Sequence, residues 1–471
     1  MANDTNPPGK RILHLGIGAF HRAHMAWYLN RLIESDDGNK NGGADGWYLA
    51  SGNIRPDMPE LLADLRRQAG AYTLETVTPA GVFSYQRIHS IASVLPWSQD
   101  LHEIIDFGRA PETRIISFTV TEAGYFLDAQ RALDLSYSDL RSDLDSDSRL
   151  TIYGAIAAIL RARREDGAGP VTLLCCDNIR GNGDHFKAGL QAFLERRGEH
   201  ALLDWAAHNT SYPNGMVDRI TPRPPAELKA RVLAATGVQD ACPVMAEEFC
   251  QWVVEDHFSG GRPAWEKVGV EMVETVVPYE EAKIRILNAS HSCIAWAGAL
   301  RGYTYIHEAT LDPGIAALAH AYVTQNVIPC LTPSPVDLAQ YRDTVLERFS
   351  NPYVKDTIER VAADGFAKIP GFIAPTIAER LAAGQSPSAT AVLPALFLAF
   401  LQARAAGRIA FTYRDQAMDE AAAQAILGAQ DPVSALCANT VLWGALAGTS
   451  ALETAVREAD AAVRTWLAAA A

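Results

Sequence analysis

KRILHLGIGAFHRAHMAWYLNRLIES, residues 10–35, begins with a short apolar run, breaks at Gly16 and Gly18, and then carries apolar side chains at helical spacing through Ala23, Trp27, Leu29 and Leu32. The order is strand, glycine turn, helix. Gly16 permits the tight turn and Gly18 a close approach of backbone to a pyrophosphate, while the third glycine position of the dinucleotide fingerprint holds His21. Read alone, the pattern serves any α/β turn that needs glycine backbone angles. Its place between a strand and a helix, at the start of the chain, favours a nucleotide site.

Working outward, "GWYLASGNI" reads as a second strand after a Gly/Asn-rich loop, and "RIISFTV" and "PVTLLCCDNI" as two more, separated by helical stretches such as "TIYGAIAAILRARRE". Alternating strands and helices predict an α/β, doubly wound parallel sheet. From about residue 276 the texture changes. "IRILNASHSCIAWAGALRG", "PGIAALAHAYVTQNV" and the tail "SALETAVREADAAVRTWLAAAA" read as helices, and strand signals nearly vanish. "TPSPVD", "KIPGFIAPT" and "AAGQSPSA" read as the loops between helices. The expectation is a dinucleotide-binding domain over 1–275 and a mostly α-helical substrate-binding and catalytic domain over 276–471.

Composition narrows the function. The chain has 471 residues, 48% hydrophobic and 20% charged, the balance of a globular protein too long for one ordinary core. Its 55 acidic against 41 basic residues give a formal charge of −14, a field that repels nucleic acid and anionic membrane surfaces. The opening residues carry no apolar signal core, and the longest apolar run, "AVLPALFLAFL", is too short to span a bilayer and contains Pro394. A cytoplasmic location follows as an expectation. Seven scattered cysteines, Cys175, Cys176, Cys242, Cys250, Cys293, Cys330 and Cys437, read as reduced and packed. There is no Cys-x-x-Cys, no His-Glu-x-x-His and no zinc-ligand spacing, so no metal is expected.

An acidic residue that binds the adenosine ribose belongs just past the second strand. There the chain offers Asp57 beside Arg55: the carboxylate disfavours a 2′-phosphate and favours NAD, the guanidinium would serve NADP, and Asp57 could equally be a turn residue. A second cluster lies in "PYEEAKIRILNASHS", residues 278–292. If residues 280–291 are helical, Glu280, Lys283, Asn288 and His291 fall within an arc of roughly 140°. An exposed polar face is one reading. The apolar remainder of the segment and the following "CIAWAGAL" favour burial, in which case desolvation lowers the lysine pKa and makes it a competent general base for oxidising an alcohol by hydride transfer. Asn288 would then stabilise the alkoxide-like oxygen and a neutral His291 would orient it. On a regular helix Lys283 and His291 stand ~12 Å apart along the axis, a gap for the lysine's reach, a helix irregularity or an extended substrate to close.

Seven motifs in order, "GIGAFHRAH", "TEAGY", "CDNIRGNG", "NGMVDRITP", "EEFCQWVVEDHF", "GRPAWEKVGV" and "YEEAKIRILNASH", resemble the mannitol dehydrogenase family of polyol-specific long-chain dehydrogenases over nearly the whole chain. The resemblance implies a Rossmann-like N-terminal domain, a helical C-terminal domain, and zinc-independent, NAD-linked interconversion of a sugar alcohol and a ketose. It implies Lys283 as general base, Asn288 and Asn178 as the pair binding the reacting oxygen, His291 as a substrate-orienting group, and Glu280 as a proton relay or gate. Asn178 alone would read as a turn residue, although it ends a strand where α/β ligands bind. The resemblance also places cofactor contacts at Gly16, Gly18, Ala19, Phe20, His21, Arg22 and Asp57, and polyol contacts at Asp218, Arg360 and Lys368. Where mannitol dehydrogenases of this family carry an acidic pair after the second strand, this chain has Asp57 followed by Met58. D-Arabinitol oxidised to D-xylulose is the leading substrate expectation, resting on the short leader before "ILHLG" and on "HMAWYLNRL", with D-mannitol to D-fructose second. Partners beyond the polyol or ketose are not expected, and the chain is expected to be a monomer. From another class, a non-catalytic nucleotide sensor would have no need of a buried base.

Overall fold

Buried Ile12, Leu13 and Leu15 make Lys10–Leu15 a strand covered on both faces, as parallel sheets require. The computed structural model describes residues 9–35, 46–120, 122–128 and 132–469. Thr121 of "TEAGY" and the leader before Gly9 lie outside the described residues. The chain divides into two compact units, one made of residues up to Val77 together with Phe83–Val277, the other of Thr78–Val82 with Pro278–Ala471.

The first unit is built on β1 (Lys10–Leu15), β2 (Trp47–Gly52), β3 (Tyr72–Val77), β4 (Phe83–Ile88), β5 (Ile91–Val94), β6 (Thr113–Phe118), β7 (Val171–Cys175), β8 (Thr210–Ser211), β9 (Gly215–Asp218), β10 (Val244–Glu247), β11 (Gln251–Glu255) and β12 (Glu271–Val273). Six of these strands form one sheet in the order β5-β2-β1-β6-β7-β8, with every neighbour parallel. That is the expected Rossmann-like doubly wound order, and it reverses direction between β1 and β6, where such folds bind ligands beyond the strand ends. Alternation along the strands splits the core. Leu13, Leu15, Ala50, Ile116, Phe118, Leu173 and Cys175 share a cluster with residues of the helices Ile152–Asp166 and Asn182–Arg196. Ile12, Leu49, Ile115 and Leu174 cluster instead with the Met25–Ser35 helix, Trp252 and Trp265. Two smaller sheets, β10-β3-β4 and β12-β11-β9, were not anticipated strand by strand in the sequence.

One expected element divides. The helix after the glycine turn forms as Ala19–Ala23 and Met25–Ser35, broken at His24, whose backbone sits at φ −122°, ψ −94°. His24 Nε2 lies 3.0 Å from the Gln251 carbonyl oxygen, and its ring stands edge-on to Trp252. Tertiary contacts therefore set the break.

The second unit is helical. Ala289–Arg301 is buried along most of its length and packs against Pro313–Tyr322, Ile358–Ala362 and Ser388–Ala405. The apolar run "AVLPALFLAFL" lies inside Ser388–Ala405, an 18-residue helix long and apolar enough by length and composition to cross a membrane, with Phe397 packed on Trp296 and Phe366. "KIPGFIAPT" is not the expected loop: it continues as Gly365–Lys368, a π-helical Ile369–Ile373 and Ala374–Ala382. Its prolines, Pro370 and Pro375, sit inside this continuous helical run, each one residue past a change between α and π register, where the backbone bonding is already irregular. All seven cysteines are free thiols, five of them buried.

Asp143 shows how the sheet-covering helix is pinned. Its buried carboxylate accepts from Ser148 Oγ (2.6 Å), Leu150 N (2.8 Å), Thr151 N (2.8 Å) and Thr151 Oγ1 (2.7 Å), while Thr151 Oγ1 caps Gly154 N. Asp143→Ala strands the buried Thr151 amide and the part-buried Leu150 amide at the start of Ile152–Asp166 and should destabilise this unit by about 2 kcal/mol, read as an earlier urea unfolding transition. An unchanged midpoint would refute the pinning role.

Candidate active site

The glycine turn is fixed by contacts on three sides. Gly16 holds φ +116°, and a Cβ there would come within 2.5 Å of the Thr119 carbonyl oxygen at the end of β6. Its N–H donates to Gly52 O at 2.8 Å, and the next amide, Ile17, donates to Asn53 Oδ1 at 2.8 Å. At Gly18 the surroundings are open: a Cβ would meet no atom within 4 Å. Gly18 begins the Ala19–Ala23 helix, and the first amides of a helix have no intrahelical acceptors, so Gly18, Ala19 and Phe20 present N–H groups beside a space that a side chain would have filled. This fits a dinucleotide phosphate.

The side chains of His21 and Arg22 are occupied inside the unit. His21 is buried, places Nε2 3.0 Å from Ser51 Oγ, and stacks on His14 with ring centroids 3.5 Å apart. Burial, then the neighbouring His14, Arg22 and His24, hold its pKa well below the usual histidine value. Arg22 donates to the Cys242 carbonyl at 2.6 Å and lies over the Tyr72 ring. The sequence reading passed over His14. This β1 residue contacts Ser117 Oγ (2.8 Å), Gly16 O (3.1 Å) and Thr119 Oγ1 (3.2 Å), and burial lowers its pKa to about 3. A neutral imidazole thus braces the turn from below.

Past β2, Asp57 is exposed and accepts from Asn53 Nδ2 at 3.3 Å, so Asn53 bridges the turn and the acidic loop. Arg55 is drawn into a 2.8 Å ion pair with Asp139. At the end of β7, Asn178 is exposed and follows Asp177, whose carboxylate accepts from Val120 N (3.0 Å) and Tyr125 OH (3.0 Å). Asn182 ties the same loop to β9, donating to Asp177 O (3.0 Å) and Gly215 O (2.8 Å) and accepting from Gly215 N (2.9 Å). Asp218, buried, ends β9 opposite Gln251.

In the helical unit, Glu280 and Lys283 are 4% and 5% exposed, which rejects the solvated polar face. Glu280 lies in Val277–Ala282, and Lys283–Asn288 is a π-helical segment, closed by Ala289 N–H donating to Ile284 O five residues back. On an α-helix, positions five apart diverge by about 140°. With i→i+5 bonding they stack, so the π segment turns Asn288 back toward the Lys283 face, and His291 follows three residues on. π-Helical turns are rare and concentrate at functional sites.

His291, Arg360 and Lys368 are brought together around a residue the sequence reading missed, Asp356. Its Oδ2 lies 3.3 Å from His291 Nε2, and its Oδ1 accepts from Arg360 Nε at 2.6 Å. The Phe349 ring stacks on His291, centroids 4.3 Å apart. Burial lowers the His291 pKa, with Asp356 opposing and Arg360 and Lys368 adding to the shift. Lys368 Nζ donates to Val361 O at 2.5 Å, and burial lowers its pKa to about 8. The spacing of Asp356 and Arg360, four residues apart across a helix start, was the available signal. Among the described residues no three His, Cys, Asp or Glu side chains are grouped to hold a metal ion.

Comparison with known proteins identifies the family and the fold. The profile described as "Mannitol dehydrogenase Rossmann domain" matches residues 10–267, and "Mannitol dehydrogenase C-terminal domain" matches residues 275–464. A D-arabinitol 4-dehydrogenase of Ralstonia nicotianae is 58% identical over 97% of this chain and 97% of its own length. One of Klebsiella pneumoniae is 52% identical over 97% and 98%. Among solved structures, the Pseudomonas fluorescens mannitol 2-dehydrogenase in ternary complex with NAD and D-mannitol superposes with TM-score 0.82 at 33% identity, covering 98% of this chain and 93% of that one. A Rossmann sheet with the glycine turn at its switch point, a helical second unit and near full-length identity to these enzymes make the chain a member of the mannitol dehydrogenase family of oxidoreductases.

Proposed function

We propose that the enzyme oxidises D-arabinitol to D-xylulose with NAD, using Lys283 as general base. The observation that carries this reading is the nearly buried lysine at the head of a π-helical segment whose register returns Asn288 to its face. NAD, when bound, supplies the hydride acceptor. The phosphate fits the amides of Gly18, Ala19 and Phe20 beside the space at Gly18, with His21 and Arg22 supporting the turn from inside the unit. Asp57 opposes a 2′-phosphate, and Asp139 holds Arg55, the cation that would otherwise welcome one.

Lys283 Nζ takes the hydroxyl proton as the carbinol C–H leaves as hydride, so the alcohol becomes a ketone with both electrons of the C–H bond accounted for. Asn288 and Asn178 donate amide hydrogens to the oxygen as negative charge develops on it, an interaction that is stronger in the transition state than in the alcohol. His291 orients the reacting carbinol, Asp218, Arg360 and Lys368 hold the remaining hydroxyls, and Glu280 relays the proton or gates its exit. D-Arabinitol ranks above D-mannitol because the relatives at 58% and 52% identity are D-arabinitol 4-dehydrogenases, whereas the mannitol enzyme with bound substrate is 33% identical.

With purified enzyme and a panel of C5 and C6 polyols, kcat/KM should be highest for D-arabinitol with NAD and lower for D-mannitol and for NADP. A preference for D-mannitol would replace the substrate, and parity of NADP would assign the loop to Arg55. Lys283→Ala should lower polyol oxidation by about 10²–10⁴-fold with NAD affinity little changed, and a small primary amine should restore part of the rate. Near-normal turnover by the folded variant would remove Lys283 from the chemistry. Because the proton goes to an amine, exhaustive dialysis against a strong chelator should leave activity intact; loss reversed by Zn²⁺ would contradict the mechanism.

A further inference from the structure

We propose that Asp356 is a positioning residue that fixes the tautomer of His291 and aims Arg360, so that one carboxylate aligns two polyol-binding side chains. This rests on the roles just proposed for His291 and Arg360, although the tautomer itself can be read without substrate.

The geometry is specific. Asp356 precedes the Ile358–Ala362 helix and its side chain is only 10% exposed, whereas that of Arg360 is 65% exposed. Oδ2 stands 3.3 Å from His291 Nε2, within electrostatic reach but off the line of a hydrogen bond, and also contacts Arg360 Nη2, while Oδ1 accepts from Arg360 Nε at 2.6 Å. The guanidinium thus meets the carboxylate in a two-pronged pairing that sets its plane. Phe349 stacked on the imidazole stops the ring from tilting away. The ionisable groups acting on His291 are Asp356, Arg360 and Lys368.

Burial holds His291 neutral, so it carries one N–H. A carboxylate beside Nε2 repels a lone pair there and attracts a proton, which favours the Nε2–H tautomer. Nδ1 is then left as an acceptor, the form that takes a hydrogen bond from a substrate hydroxyl. The same logic governs the carboxylate of a Ser-His-Asp triad, where the acid sets the imidazole tautomer without taking the proton. The pairing also restrains Arg360, so the carboxylate limits the conformational freedom that the arginine would lose on binding a polyol.

The test combines spectroscopy and kinetics on the full-length enzyme. In substrate-free protein labelled with ¹⁵N-histidine, and with His291→Ala used for assignment, His291 should show the neutral Nε2–H tautomer. An Nδ1–H tautomer in the unmodified enzyme would overturn the inference without any variant being needed. Asp356→Asn, which keeps the shape and removes the charge, should lose the fixed tautomer and raise the KM for D-arabinitol about tenfold, with kcat changing less. In a His291→Ala background the same substitution should cost clearly less, about threefold in KM, because only Arg360 is then left for the carboxylate to position. Equal losses in both backgrounds, or unchanged His291 resonances in Asp356→Asn, would overturn it. If the unmodified enzyme turns over no polyol while His291 holds the Nε2–H form, the positioning stands and the proposed reaction fails.

Discussion

The Gly16 amide donating to the Gly52 carbonyl at 2.8 Å, under a Thr119 carbonyl that leaves no room for a Cβ, is the contact on which the nucleotide half depends. It joins the ends of three adjacent strands, β2, β1 and β6, at the point where the sheet order reverses. A side chain at Gly16 would have to push β6 away or abandon the turn. The neighbouring amide extends the tie to Asn53, and Asn53 in turn holds Asp57, so glycine turn and acidic loop are parts of one hydrogen-bonded unit.

The buried arginines of this unit are bonded to main-chain oxygen. Arg163 donates to the carbonyls of Gly108, Ala110 and Gly169, and burial lowers its pKa to about 10. Arg219 donates to Ala23 O and Glu247 O and lies over Trp27; Arg22 uses Cys242 O. Planar guanidinium groups suit this role because several fixed donors reach carbonyls that loops and strand ends leave unpaired. His14 and His21 do the equivalent work as neutral rings, which avoids the cost of a buried cation directly beneath the glycine turn.

The helical unit is organised by departures from α-helical register. Its three π-helical segments, Lys283–Asn288, Val323–Val327 and Ile369–Ile373, are neighbours, the first touching both others. Two of the three begin at or just after a lysine proposed for the site, Lys283 and Lys368. A π turn widens the helix and weakens its bonding, and it persists only where packing determines it. Here the surrounding helices supply that packing, with Tyr322 OH donating to Arg285 O at 2.6 Å and Glu379 pairing with Arg285 across the segments.

The sequence by itself determined the glycine turn, the four central parallel strands and the helical second half, because apolar periodicity and glycine placement are local signals. It also marked Lys283, Asn288 and His291 as one face and placed Asn178 at a strand end. What it could not determine were the partners that come from far along the chain. His14 reads as one more residue of a strand until Ser117 and Thr119 close around it, Asn53 as a loop residue until Ile17 reaches it, and Asp356 as half of a helix-surface pair until His291 stands against it. The break at His24, the helical course of "KIPGFIAPT" and the π register at Lys283 belong to the same class. Each is a local conformation chosen against its own preference by side chains packed from elsewhere, and that choice exists only once the tertiary structure has formed.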